Sequence, residues 1–179
     1  MVVRRRIVNE KPAMVFVTTT VVDWLPLFSD EKIAEMTTKQ LQETGYKFHI
    51  SIAAYVLMPS HLHLLVGLLQ LSQLSQFMQA FKGLSSRLIF NSLSSLEHRD
   101  IGYNPGKRIW KPRFDDLIIW SEKQFKIKTE YIHNNPVKAG LVANSCDYRF
   151  SSAGDWLRDT PGLIRIDKNW SWIEREGLP

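Results

Sequence analysis

The chain has 179 residues, 44% hydrophobic and 23% charged, the balance of one soluble globular domain with a sizeable core. Its single cysteine, Cys146, excludes an internal disulfide framework and fits a reducing compartment. No apolar run reaches the roughly 18 residues that span a bilayer, and Met1-Val-Val-Arg-Arg-Arg lacks the apolar stretch of a secretory signal, so a cytoplasmic location away from membranes is expected. Lys and Arg outnumber Asp and Glu by 23 to 18, and part of the excess is clustered: Arg4, Arg5 and Arg6 form one block, Lys107, Arg108, Lys111 and Arg113 another. Such blocks suit a polyanion, although a solvated surface would carry them too.

Met14 to Val22 is dense in β-branched residues and predicts a strand. Ser29 or Asp30 can cap a helix running to about Thr44, with Gly45 as its stop. Phe48 to Met58 predicts a buried strand, broken at Met58-Pro59-Ser60. His61 to Leu69 follows after so short a turn that it must run antiparallel. Leu74, Phe77, Met78, Phe81, Leu84, Leu88 and Ile89 trace one face of a helix over residues 71–93. Residues 94–112 read as a loop, Arg113 to Trp120 as a short strand, and Glu122 to about Asn134 as a helix capped by Ser121 and stopped by Pro136. The first six elements give a ferredoxin-like βαββαβ plan, α+β in class, with an antiparallel sheet and helices on one face; a further helix follows. The plan serves nucleic-acid-binding modules and enzymes alike. The expected division is a domain over residues 1–155 and a C-terminal tail over 156–179.

Two segments carry chemistry. In Pro59-Ser60-His61-Leu62-His63-Leu64, residues i and i+2 of a strand share a face. His61 and His63 then project together, about 6–7 Å apart at Cα, and can close on one divalent metal, while Leu62 and Leu64 face the core. Two unrelated surface histidines would satisfy the same pattern. In Glu130-Tyr131-Ile132-His133-Asn134-Asn135-Pro136, Tyr131 and Asn135 lie one helical turn apart, a phenol beside an amide oxygen. A packing tyrosine and a helix-ending asparagine would look no different.

Taken together the segments resemble a known family. Residues 55–66, Tyr-Val-Leu-Met-Pro-Ser-His-Leu-His-Leu-Leu-Val, are similar to the His-hydrophobic-His (HUH) motif of single-tyrosine transposases. Residues 131–142, Tyr-Ile-His-Asn-Asn-Pro-Val-Lys-Ala-Gly-Leu-Val, are similar to that family's tyrosine helix. Residues 110–116 and 147–152 resemble its flanking motifs, so the likeness covers about residues 4–155 and is nearest to the REP-associated tyrosine transposases. Ser60 stands where that family commonly has Asn, and Trp120 where it often has Arg.

The resemblance implies a metal-dependent single-strand DNA endonuclease and strand transferase acting on hairpin or palindromic DNA through a 5′-phosphotyrosine. It implies Tyr131 as nucleophile, and His61, His63 and Asn135 as ligands of Mg²⁺ or Mn²⁺. Both basic blocks would bind DNA. His133 is a weak candidate for a base, since i+2 on a helix points elsewhere. Related enzymes leave both monomer and homodimer open. The competing readings are a non-catalytic single-stranded nucleic-acid-binding module, which would need aromatics on an exposed sheet face, and a hydrolase of small phosphoesters.

Overall fold

The computed structural model describes residues 12–93 and 107–169; the Arg4–Arg6 block and most of the loop expected over 94–112 lie outside them. The elements in chain order are β1 (Ala13–Thr20), α1 (Glu31–Lys47), β2 (Ser51–Met58), β3 (His61–Leu68), α2 (Gln73–Leu93), β4 (Asp115–Ile119), α3 (Glu122–Lys138) and α4 (Ala153–Leu157). The four strands form one antiparallel sheet in the order β2-β3-β1-β4, the ferredoxin-like arrangement expected from the element order.

Alternation along the strands divides the sheet into two apolar faces. Val15 and Val17 of β1 and Leu62, Leu64, Val66 and Leu68 of β3 point into one core, closed by Ile33 and Leu41 of α1 and Leu74, Phe77, Phe81 and Ile89 of α2. Met14 and Phe16 of β1 and Leu65 of β3 point the other way, against Phe125 and Ile132 of α3. The face expected to be open is therefore largely roofed by α3. This roofing matters because His61 and His63 lie on it.

Two helix ends differ from the sequence expectation. Asp30 is the N-cap of α1, accepting from the Ile33 N–H at 3.0 Å, but Gly45 does not end the helix. It lies inside α1, where a Cβ would come within 3.3 Å of Ile52 Cδ1, so its role is close approach to β2. Pro136 does not end α3 either: the helix runs to Lys138. The proline forfeits one hydrogen bond near the terminus, and the stop comes two residues after Lys138. Gly140, at φ 70°, donates to Val137, and Leu141 donates to Pro136, closing the helix with the paired bonds of a left-handed cap.

The segment after α3 seals the outer edge of β2. Leu57 N–H donates to the Phe150 carbonyl at 2.9 Å, Ser152 N–H donates to Tyr55 at 3.0 Å, and further along Asp167 N–H donates to Ile52 at 2.9 Å. Among the described residues no helix is long and apolar enough to cross a membrane.

Candidate active site

β1 and β3 pair so that Thr18 faces His63 and Thr20 faces His61. The two imidazoles stand side by side, ring centroids 4.8 Å apart, on the face covered by α3. The Tyr131 ring lies 5.2 Å from that of His63, edge to face, and 5.9 Å from that of Phe16, which itself stacks on His63 at 5.5 Å, so the three rings form one mutual cluster. A tyrosine 68 residues further along the chain than His63 is thus brought against the histidine pair. His63 is only 5% exposed, whereas Tyr131 is 39% exposed, so the phenol borders both the histidines and solvent.

Burial sets the charge state of the pair. Loss of solvation pushes His63 down to about 3, with further depression from neighbouring His61 and the Lys128 ammonium. Burial lowers His61 as well. Both rings are neutral at physiological pH, the form in which imidazole binds metal. Thr18 Oγ1 lies 2.7 Å from Nδ1 of His63, and Ser60 Oγ lies 3.4 Å from Nδ1 of His61, so a hydroxyl borders the Nδ1 side of each ring.

The donor set fits a divalent ion through two neutral nitrogens. Among the described residues no cluster of three His, Cys, Asp or Glu side chains could hold a metal, so among them a third donor beside the two imidazoles would be a neutral oxygen. Asn135 shares the Tyr131 side of α3, but its amide nitrogen approaches the Tyr131 carbonyl, at 3.4 Å, rather than either imidazole.

His133 serves elsewhere. It is buried, with Nε2 2.9 Å from the Ser152 hydroxyl, which in turn accepts from Tyr55 N–H at 2.9 Å. This polar chain ties α3 to β2, and burial pushes His133 down to about 4.

Two lysines escaped the sequence reading. Lys128 Nζ lies 4.6 Å from the Phe16 ring centre and 5.5 Å from that of Tyr131, and Lys138 Nζ lies 5.8 Å from Tyr131. Their positions three before and seven after Tyr131 match its helical face, a spacing legible in the sequence.

Of the second basic block, Lys107 and Arg108 are exposed, and Lys107 pairs with Asp23 at 3.0 Å. Trp110 is buried between Phe28 and Phe81 and donates to Ser85 Oγ at 2.9 Å, anchoring this stretch. Lys82 donates to the carbonyls of Lys111, Pro112 and Arg113, fixing the path into β4. Lys111 Nζ sits 4.8 Å over the Trp24 ring, which meets the His61 ring at 5.8 Å between centroids, so this stretch reaches the histidine side of the site.

A sequence model of the family described as "Transposase IS200 like" matches residues 15–135, a span from β1 to Asn135. A REP-associated tyrosine transposase of Escherichia coli (strain K12) is 40% identical over 62 residues, 34% of this chain and 36% of that protein; the match therefore spans about a third of the relative's length. Among solved structures, a REP-associated tyrosine transposase bound to a REP hairpin superposes with a TM-score of 0.65 at 23% identity, covering 98% of each chain. A putative transposase from Deinococcus radiodurans superposes with a TM-score of 0.51 at 24% identity, covering 75% of this chain and 97% of the other. With more than half its length matched, and with His61, His63 and Tyr131 all inside that span, the chain belongs to the IS200-like transposase family.

Proposed function

We propose that the protein is a DNA-nicking and strand-joining enzyme that cuts single-stranded or hairpin DNA through a covalent tyrosine intermediate. The observation that carries this reading is the convergence of Tyr131 on the His61–His63 pair, with His63 and Tyr131 rings 5.2 Å apart. In this reading the chemistry resides in residues 1–155, and the hairpin seen with a structural neighbour supplies the substrate class.

His61 and His63 would hold a divalent ion, Mg²⁺ or Mn²⁺, with Asn135 as third ligand. When bound, the ion supplies Lewis-acid neutralisation of phosphate charge. Tyr131 attacks phosphorus through its phenolic oxygen; the P–O3′ bond breaks as the Tyr–O–P bond forms. The proton lost by the phenol is balanced, through solvent, by the one gained at the leaving 3′-oxygen. The product is a 5′-phosphotyrosine and a free 3′-OH, and a second 3′-OH can reverse the step without an external energy source. Lys128 and Lys138 place two positive charges beside the ring where negative charge gathers during attack. The hydroxyl of Thr18 orients His63: when it accepts from Nδ1–H, Nε2 keeps its lone pair for the metal. His133, locked to Ser152, takes no part in proton transfer. The protein acts as a monomer or homodimer in the cytoplasm.

The test is a denaturing gel for protein–DNA adducts on a hairpin with a single-stranded extension, in Mn²⁺. Wild type should form an adduct that peptide mass mapping places on Tyr131, and Tyr131→Phe should bind but form none. An adduct on another tyrosine, or DNA binding without any adduct, would refute the assignment; the second result would favour a binding module.

A further inference from the structure

Trp24 stands out among the exposed side chains. It is 58% exposed, yet it stands beside the histidine pair, its ring meeting that of His61 at 5.8 Å and 71°. The backbone that holds it there is strained: Asp23 and Trp24 adopt φ of 56° and 57°, consecutive left-handed conformations that a bulky residue rarely occupies. Contacts from two segments, the Ser60 turn and the 107–109 stretch, enforce the turn. Val21 N–H donates to the Ser60 carbonyl and Val22 N–H to Ile109, both at 2.8 Å, and Asp23 pairs with Lys107. The Lys111 ammonium lies over the ring at 4.8 Å.

Burial does not explain a large aromatic held in a strained turn with over half its surface in solvent. Its neighbours do suggest a ligand. The ring meets, at 71°, an imidazole proposed to lie by the scissile phosphate, and a cation sits above the ring. An unpaired nucleotide offers both complements, a flat base and a phosphate. Resting on the reading above, we propose that Trp24 is the stacking platform for the unpaired base next to the phosphate at His61, and that Lys111 bridges the ring and a phosphate of the same strand. This assigns Trp24 to substrate positioning, and makes the strained turn the device that aims it.

The test measures binding, so it does not depend on cleavage. In a Tyr131→Phe background with Mn²⁺, fluorescence anisotropy would follow a fluorescein-labelled oligo-dT strand, the same strand with one abasic position moved stepwise along it, and a hairpin with an oligo-dT extension. Trp24→Ala should weaken oligo-dT binding about tenfold to a hundredfold, as loss of one stacked base does, while Trp24→Phe retains most of it. On the hairpin, whose position is fixed by its duplex, one abasic position should cost wild type a similar factor and Trp24→Ala nothing further. Thermal melting of each variant would show that the fold is kept. Wild-type binding with an unchanged Trp24→Ala, or abasic losses equal in both proteins, overturns the stacking role alone. Failure of wild type to bind any single strand overturns the DNA reading with it.

Discussion

Thr18 and His63 face each other across the β1–β3 ladder, Oγ1 and Nδ1 2.7 Å apart. The bond joins a residue outside the proposed ligand set to one of its three members. Thr18→Val removes the hydroxyl and keeps the shape. Mn²⁺ affinity, read by electron paramagnetic resonance titration, should fall by about 10- to 100-fold, with Thr18→Ser restoring most of it. Nitrogen NMR of the metal-free protein should show the Nδ1–H tautomer of His63 depleted in Thr18→Val. Unaltered tautomer and affinity would make this bond incidental.

His61→Ala combined with His63→Ala should abolish Mn²⁺-dependent cleavage and leave the melting profile cooperative. His63 borders Phe16 and Tyr131, so some loss of stability is expected from packing. Asn135→Ala should weaken metal binding less than either histidine change. Full cleavage by the double variant would rule out the metal assignment.

Lys128 and Lys138 should contribute to rate through charge. Lys128→Gln and Lys138→Gln should each lower adduct formation by roughly tenfold, about 1.4 kcal/mol of barrier, with little change in the affinity of a long strand held at many other points. Single-turnover kinetics at saturating DNA separates the two effects. A loss confined to binding would show that these lysines only hold backbone.

DNA binding should favour single strands or hairpins with an unpaired extension over blunt duplex, and should weaken with salt. Neutralising one of Lys107, Arg108, Lys111 or Arg113 should lower the salt slope by roughly one unit for each phosphate that the variant no longer neutralises. For Lys107 the effect should be smallest, because it already pairs with Asp23. Equal affinity for blunt duplex of the same length would contradict a single-strand site.

Acid should loosen α3. His133 is pushed down to about 4 from an ordinary 6.5, so between those values the unfolded chain binds more protons than the folded one. The contribution is fully present above pH 6.5 and is lost as pH falls towards 4, with a ceiling of about 3 kcal/mol. Glu122, Lys126, Glu130 and Lys168 line the same groove and will modulate the midpoint. In chelator, where no metal is bound, denaturant melts of wild type should lose stability across this window, and His133→Asn should show a shallower dependence. Parallel curves would mean that the acid sensitivity resides in His61 and His63.

The sequence alone settled those features that depend on local periodicity. The i, i+2 spacing of His61 and His63 put both on one face of β3, and Leu62 and Leu64 in the opposite core, because strand geometry fixes that relationship before any packing. The element order was enough for the sheet order, and Asp30 was legible as a cap. Helix ends were less legible, since tertiary contacts override local signals: Gly45 serves the approach of α1 to β2, and Pro136 falls where a helix tolerates one missing bond. Only the folded chain set α3 across the histidine face, which buries His63, neutralises it and brings Tyr131 within 5.2 Å. Thr18, Lys128, Lys138 and Trp24 join the site for the same reason. Thr18 and Trp24 touch their partners across strands or over a strained turn, a proximity no single segment encodes; Lys128 and Lys138 share the helical face of Tyr131 by spacing alone, and only packing sets that face against the histidines.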